Sequence, residues 1–322
     1  MCKKGIKKKV RINFCDTYPS FDIETSVITR AIRRNFEMEL CDDPDYLIVL
    51  PYGHNHLKYS CVKILCTGEN FTPDFNLFDY AAGFDYLEFG DRYIRTPLWA
   101  LRDNFRDFRM RSRPSDQALL GRKFCSMVVS NEGGDPIRKK FFLELSKYKQ
   151  VDSGGRFLNN VGGPVLDKMS FLANYKFNIA FENSSYPGYT TEKIMDSFSV
   201  WSVPLYWGDP LVGRDFLENS FIRIRYEDDI ERSIAEIVQL DRDDEAYLRR
   251  CVSPCLVNPD LMVYENKLAE FFVHIFNQPI ERARRVANAG YAADFYRRGL
   301  MHAFETDDVF GRLINIKRKL FK

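Results

Sequence analysis

At 322 residues, with 45% hydrophobic and 29% charged residues and a net charge of +2, the chain exceeds one comfortable core of about 150 residues and predicts two domains of similar size. This balance excludes a disordered or polyelectrolyte chain and gives no indication of a nucleic-acid partner. No apolar run is long enough for a membrane-spanning helix and no signal peptide follows the basic start, so the chain is expected to stay in the cytoplasm.

Strand-like and helix-like pieces alternate through the first half: Lys9–Cys15, Ser26–Phe36, Tyr46–Leu50 and Tyr59–Thr67. That rhythm belongs to a parallel α/β sheet. A polar, arginine-rich stretch between Arg109 and Lys123 places a domain boundary near residue 115. The pattern then restarts with a strand at Phe124–Val129, a helix from Pro136 to about Tyr148, a helix over Pro164–Tyr175 and a strand at Phe177–Phe181. From about Leu261 the chain reads as helices and closes on the basic run Ile314–Lys322. The expected divisions are 1–115, 116–280 and a helical tail at 281–322. A short basic, apolar tail can rest peripherally on anionic lipid at the inner face of a membrane, and a solvated helix end fits the same pattern equally well.

After strand Phe177–Phe181 come Pro187-Gly188 and then Thr190-Thr191-Glu192-Lys193, where either threonine can cap a helix. A helix start favours negative charge, so a first-turn lysine opposes the dipole unless an anion offsets it, and Lys193 suggests a bound phosphate. Ile194, Phe198 and Trp201 form a helical stripe that faces the sheet. The loop Ser130–Asp135 leads into a helix begun by Pro136, with Arg138 in its first turn. The arginine fork and the lysine point charge together suit a diphosphate. Asn183, Tyr189 and Glu192 add acceptors and donors for a ribose or sugar.

In the other half Glu69 follows strand Tyr59–Thr67 and reads as a general base or, on even terms, as a turn cap. Glu69 and Asn183 both lie beyond the carboxyl ends of strands, where ligand crevices form in open α/β sheets, and two facing crevices could make one site. Asp43-Pro44-Asp45 has the Asp-x-Asp form of some metal sites but precedes a strand and reads as a turn. His54-Asn55-His56 lacks further ligands, and its loop is a candidate acceptor groove. Most of the eight cysteines read as buried thiols. Cys251 and Cys255 have no companions for a zinc site, and a disulfide between them would need an oxidising compartment.

Ordered blocks spread over residues 60–210 resemble the α1,3/α1,4-fucosyltransferases of glycosyltransferase family 10, bacterial type. They are Gly68–Asn76, Asp79–Asp85, Asp91–Leu98, Ser130-Asn131 with Arg138, Phe181–Asn183, Gly188–Lys193 and Val203–Gly208. The resemblance implies a GT-B fold, two Rossmann-like domains facing across a cleft. The N-terminal domain would bind the acceptor, and GDP-β-L-fucose would be held mainly by the C-terminal one. It implies inversion at the anomeric carbon. An N-acetyllactosamine-type glycan is the expected acceptor, with the choice of α1,3 or α1,4 linkage left open. Since Arg138, Lys193 and the helix amides can answer the leaving-group charge, no obligatory metal is expected, a divalent ion being at most stimulatory. By the same resemblance Glu69 is the general base and Arg138 and Lys193 hold the diphosphate. Glu192 binds the ribose, and Asn183 and Tyr189 complete the donor pocket. Another nucleotide sugar, or binding without catalysis, is the alternative reading. The leucine-containing heptads of some bacterial members are not seen near the C-terminus, which leaves the oligomeric state open.

Overall fold

A computed structural model of the chain describes residues 7–101, 108, 111–225, 230–260, 262–287 and 290–320, those from 307 by backbone alone. The chain divides into two α/β units, one made of residues up to Gly83, Leu87–Thr96 and Glu265 onward, the other of Phe84–Tyr86 and Pro97–Tyr264. The first holds a six-stranded sheet in the order β2-β1-β3-β4-β5-β6, with strands β1 (Lys8–Cys15), β2 (Phe36–Leu40), β3 (Tyr46–Val49), β4 (Val62–Cys66), β5 (Tyr80–Gly83) and β6 (Tyr93–Arg95). The second holds a five-stranded sheet in the order β11-β10-β9-β7-β8, with β7 (Lys123–Met127), β8 (Val151–Ser153), β9 (Tyr175–Phe181), β10 (Val203–Trp207) and β11 (Ile222–Arg223). Every strand pair in both sheets is parallel. Such sheets are covered on both faces, which is why β3, β9 and β10 are buried along their whole length and read as nearly continuous apolar runs.

Several expected boundaries shift. The helix after β1 spans Val27–Asn35, its first turn capped by the Ser26 hydroxyl, which accepts from the Thr29 amide at 3.1 Å. Phe36, expected inside that helix, has extended geometry and opens β2. The helix expected over Pro164–Tyr175 is confined to Lys168–Leu172, because Asp167 caps it by accepting from the Ser170 amide. Tyr175 already belongs to β9, where its hydroxyl donates to Asp152 at 2.8 Å. Trp201 lies beyond the helix Glu192–Ser199, at φ 59°, with its ring against the Arg111 guanidinium, so it does not continue the helical stripe.

The two-unit grouping also departs from the expected divisions. Residues 97–115 go with the second unit, and 265–280 return to the first. The reason is apolar burial: Leu268, Phe271, Phe272, Ile275 and Phe276 of the helix Val263–Phe276 join Val10, Ile12, Ile48, Ile64 and Tyr80 in the core of the first sheet. Cys251 and Cys255 are separate thiols, both pushed to higher pKa by burial. Among the described residues no helix is long and apolar enough to cross a membrane. The side chains of the basic run at 314–322 lie outside the described residues.

Candidate active site

In the second unit, β9 ends by placing two consecutive polar residues, Glu182 and Asn183, where the next helix and an earlier loop meet it. Glu182 has no solvent exposure. One carboxylate oxygen accepts from the Thr191 amide at 2.7 Å, and the other from the Thr191 hydroxyl at 2.6 Å and from Lys193 Nζ at 2.9 Å. Burial pushes the Glu182 carboxyl up, with Lys193 and Thr191 pulling against it. Burial acts downward on the Lys193 ammonium, and the Glu182 and Glu192 charges outweigh it, so the net direction is up. Within the protein, Lys193 is thus offset by Glu182.

Thr191 is the N-cap residue of the helix Glu192–Ser199 by position, as expected, yet its side chain makes no capping hydrogen bond because Glu182 engages it. Thr190 does not cap either. Its hydroxyl donates to Asp209 at 3.0 Å, and the same buried carboxylate accepts the amides of Gly188 at 2.8 Å and Leu211 at 2.7 Å. The helix start is thus left without a side-chain cap while the loop before it is held from below. Gly188 is needed in that loop: its φ is 88°, and a Cβ there would lie 2.6 Å from the Phe84 carbonyl oxygen.

Arg138 sits in the first turn of the helix Ile137–Ser146, where the sequence placed it, and is 1% exposed. Its Nη1 donates to Asn183 Oδ1 at 3.1 Å and its Nη2 to the Asn131 carbonyl at 2.9 Å. Among the described residues its Nε has no hydrogen-bond partner. Both acceptors are neutral, and among the described residues no carboxylate lies within ion-pair distance of the guanidinium. Burial lowers its pKa, with Asp135 the opposing charge, but an arginine remains a cation at any physiological pH. Gly134 makes room for it, since a Cβ at that position would fall 1.9 Å from Nη2. Of the other candidates, Asn183 is held by Arg138, Glu192 is half-buried in the first helical turn, and Tyr189 is buried with its ring edge-on to Phe84 at 5.2 Å. Arg138 and Lys193 are therefore bonded to consecutive residues at one strand end.

In the first unit Glu69 is exposed on the loop after β4, and the Tyr52 hydroxyl donates to its Oε1 at 2.8 Å. Its own loop is braced by Thr67, whose hydroxyl oxygen accepts the Glu69 amide at 3.2 Å. The two histidines of the expected acceptor loop go separate ways. His56 Nδ1 bonds to Asp16 at 2.7 Å, while the His54 ring stacks on Phe304 at 4.8 Å. Asp43 and Asp45 both pair with Arg11, as turn carboxylates do. Residues missed in the sequence are Glu182, Asp209, Asp16 and Tyr52. The available signal was an acid directly after the apolar end of a strand, as Glu182 stands after Ile179-Ala180-Phe181 and Asp16 after Phe14-Cys15.

The alpha-(1,3)-fucosyltransferase FucT N-terminal domain matches residues 12–102, and the C-terminal region of glycosyltransferase family 10 (fucosyltransferase) matches residues 121–250. An alpha-(1,3)-fucosyltransferase, FucT, of Helicobacter pylori is 32% identical over 286 residues, covering 77% of this chain and 57% of the relative. The chain spans about half the length of the curated relatives it matches. A crystal structure of an alpha1,3-fucosyltransferase superposes with a TM-score of 0.75 at 30% identity, covering 90% of this chain and 95% of the other. Another, with GDP-fucose, superposes at 0.73 and 27% identity, covering 86% and 93%. Two parallel-sheet α/β units of this kind define the GT-B class of glycosyltransferase fold. Within that class, the chain belongs to glycosyltransferase family 10, the fucosyltransferases.

Two outcomes follow from these contacts. Glu182→Ala leaves Lys193 without its counter-charge, and urea denaturation is expected to show a loss of about 3 kcal/mol, the lower end for breaking a buried pair; unchanged stability would contradict the pairing. Burial alone would raise the Asp16 pKa, but the His56 ring and the His56 and Asn55 amides outweigh it and hold the group down at about 2. A carboxyl whose folded pKa is depressed stabilises the fold above its unfolded pKa and loses that contribution as pH falls through the folded value. Asp16 should therefore contribute roughly 2–3 kcal/mol above pH ~4 that disappears by pH ~2. Denaturation curves of Asp16→Asn should lack that acid-side slope.

Proposed function

We propose that this protein transfers L-fucose from GDP-β-L-fucose to O3 of N-acetylglucosamine in an N-acetyllactosamine-type glycan, with inversion at the anomeric carbon and release of GDP. The observation that carries the reading is Arg138, a buried cation whose hydrogen bonds among the described residues go to neutral oxygens and leave Nε without a partner. It is bonded to Asn183, next in sequence to the Glu182 that holds Lys193. A buried charge so placed is costly unless an anion completes it, and a diphosphate supplies one. Membership of a fucosyltransferase family, and a family structure that contains GDP-fucose, support the choice of donor.

In this reading the first unit receives the acceptor and the second the donor. Glu69 takes the proton of the acceptor hydroxyl as that oxygen forms its bond to fucose C1. The C1–O bond to the diphosphate breaks, and its electron pair leaves with GDP. Charge gathers on the departing phosphate, where Arg138, the helix amides and Lys193 stabilise it. Glu192 accepts from ribose hydroxyls, while Asn183 and Tyr189 line the donor pocket. Because fixed cations answer the leaving-group charge, no divalent metal is required.

Incubation with GDP-fucose is expected to yield an α1,3-linked fucose by NMR on the type 2 disaccharide, whose O3 is free, and none on the type 1 disaccharide, whose O3 already carries galactose. Transfer from a different nucleotide sugar, or donor binding with no product, would overturn the assignment. Glu69→Gln should lose on the order of 10²–10⁴ in kcat, the usual share of a general base. Calorimetry should show its GDP-fucose affinity intact, and lost affinity would place Glu69 in donor binding instead. Treatment with EDTA should leave transfer in place; loss that manganese restores would refute the metal-free mechanism.

A further inference from the structure

We infer that the loop Tyr52–His56, clamped by Asp16, positions Glu69 through the Tyr52 hydroxyl, making Tyr52 and Asp16 positioning residues for the base. The inference rests on Glu69 acting as that base. All of its parts lie in the first unit.

Glu69 stands on an exposed loop between half-buried Gly68 and exposed Asn70 and Phe71, so its own surroundings hold its side chain weakly. A long carboxylate side chain in such a place has several rotamers open to it. Among the described residues its side chain makes one hydrogen bond, accepted by Oε1 from the Tyr52 hydroxyl. A phenol donating to one oxygen restricts the carboxylate and leaves the lone pairs of the other to take a proton.

Tyr52 can do this because its own place is fixed. Its amide donates to the Asp16 carbonyl at 3.1 Å, and its ring meets Tyr18 edge-on at 5.3 Å, which in turn meets Phe21 edge-on at 5.4 Å. Asp16 then holds the rest of the loop. Its Oδ1 accepts from the Asn55 amide at 2.9 Å and from Asn55 Nδ2 at 3.2 Å, and its Oδ2 from the His56 amide at 3.0 Å and from His56 Nδ1 at 2.7 Å. The Asp16 side chain has no exposure, and its backbone sits at φ 55°, a strained value for a residue with a side chain. The closure is tight enough that a Cβ on Gly53 would fall 2.6 Å from Asp16 Oδ1. The His56 ring closes the clamp on Phe78 at 5.1 Å. Strain of this kind at the end of β1 persists where the surroundings over-determine it, and here the result is one phenol aimed at one carboxylate. Tyr52 itself is 47% exposed, so its hydroxyl adds little to the core.

The test uses the full chain with GDP-fucose and N-acetyllactosamine, comparing Tyr52→Phe, Asp16→Asn, the double variant and Glu69→Gln by initial rates. Removing one hydrogen bond to a charged group should lower kcat of Tyr52→Phe about tenfold. The KM values for both substrates should stay unchanged. Asp16→Asn should lower kcat in the same way, and the double variant should be no worse than the poorer single one, because both act along one route. A wild-type kcat in Tyr52→Phe would overturn the inference. So would a raised acceptor KM with kcat kept, which would make Tyr52 a sugar contact, and so would losses that multiply in the double variant. Tyr52→Phe lies at the surface and decides the matter even if Asp16→Asn fails to fold. An active Glu69→Gln would sink the base assignment itself; an inactive Glu69→Gln beside an unaffected Tyr52→Phe sinks only the positioning role.

Discussion

Glu182 stands at the end of β9 out of contact with solvent, and a carboxylate taken out of water there costs several kcal/mol unless donors surround it. Three donors do: the Thr191 amide, the Thr191 hydroxyl and the Lys193 ammonium. Meeting that demand shapes everything nearby. Thr191 is drawn away from capping its helix, Lys193 is folded inward, and position 208 must be glycine, since a Cβ there would approach Glu182 Cγ to 2.4 Å at a φ of 150°. One buried charge thus joins the ends of two strands to the start of a helix. Asn178 extends the join, donating at 2.6 Å to Ser197, whose hydroxyl donates to the Lys193 carbonyl.

The two cations of this region are not equivalent. Lys193 is balanced within the protein by Glu182, and in the proposed reading it offers the donor only a shared charge. Arg138 is bonded through Asn183 and Asn131 to neutral oxygens and, among the described residues, keeps an unpaired Nε. Its charge is the one an incoming anion would complete. The first unit uses the same device in another form: Asp16 is buried at the end of β1, and the donors gathered around it define the course of a loop. In both sheets a carboxylate beyond a strand end is the organiser, and the groups assigned to chemistry are held one contact further out.

Much of this was legible in the chain. The alternation of strand-like and helix-like pieces announced parallel sheets, and Pro136 and Thr191 marked helix starts correctly. Arg138 and Asn183, chosen separately, turned out to be bonded to each other. What was hidden depends on tertiary partners. Phe36 continues an apolar helical pattern, and only the pairing of Phe36 with Lys8 makes it a strand residue. The short strands β5, β6 and β8 are too brief for a periodic signal. The helix Val263–Phe276 carries no local mark of the sheet it covers, although it fills the core built by β1 and β3. Lys193 looked like a vacant cation because its counter-charge lies eleven residues upstream, across a turn.

In the proposed reading the guanidinium of Arg138, which has no carboxylate within ion-pair distance among the described residues, is the seat of the donor's diphosphate. Calorimetric titration of GDP and of guanosine into the wild-type protein and Arg138→Ala tests it most directly. The account predicts that GDP affinity falls about a hundredfold in the variant, as for the loss of one strong donor to a charged group, while guanosine binds both proteins alike. Equal GDP affinity in the two proteins would contradict it.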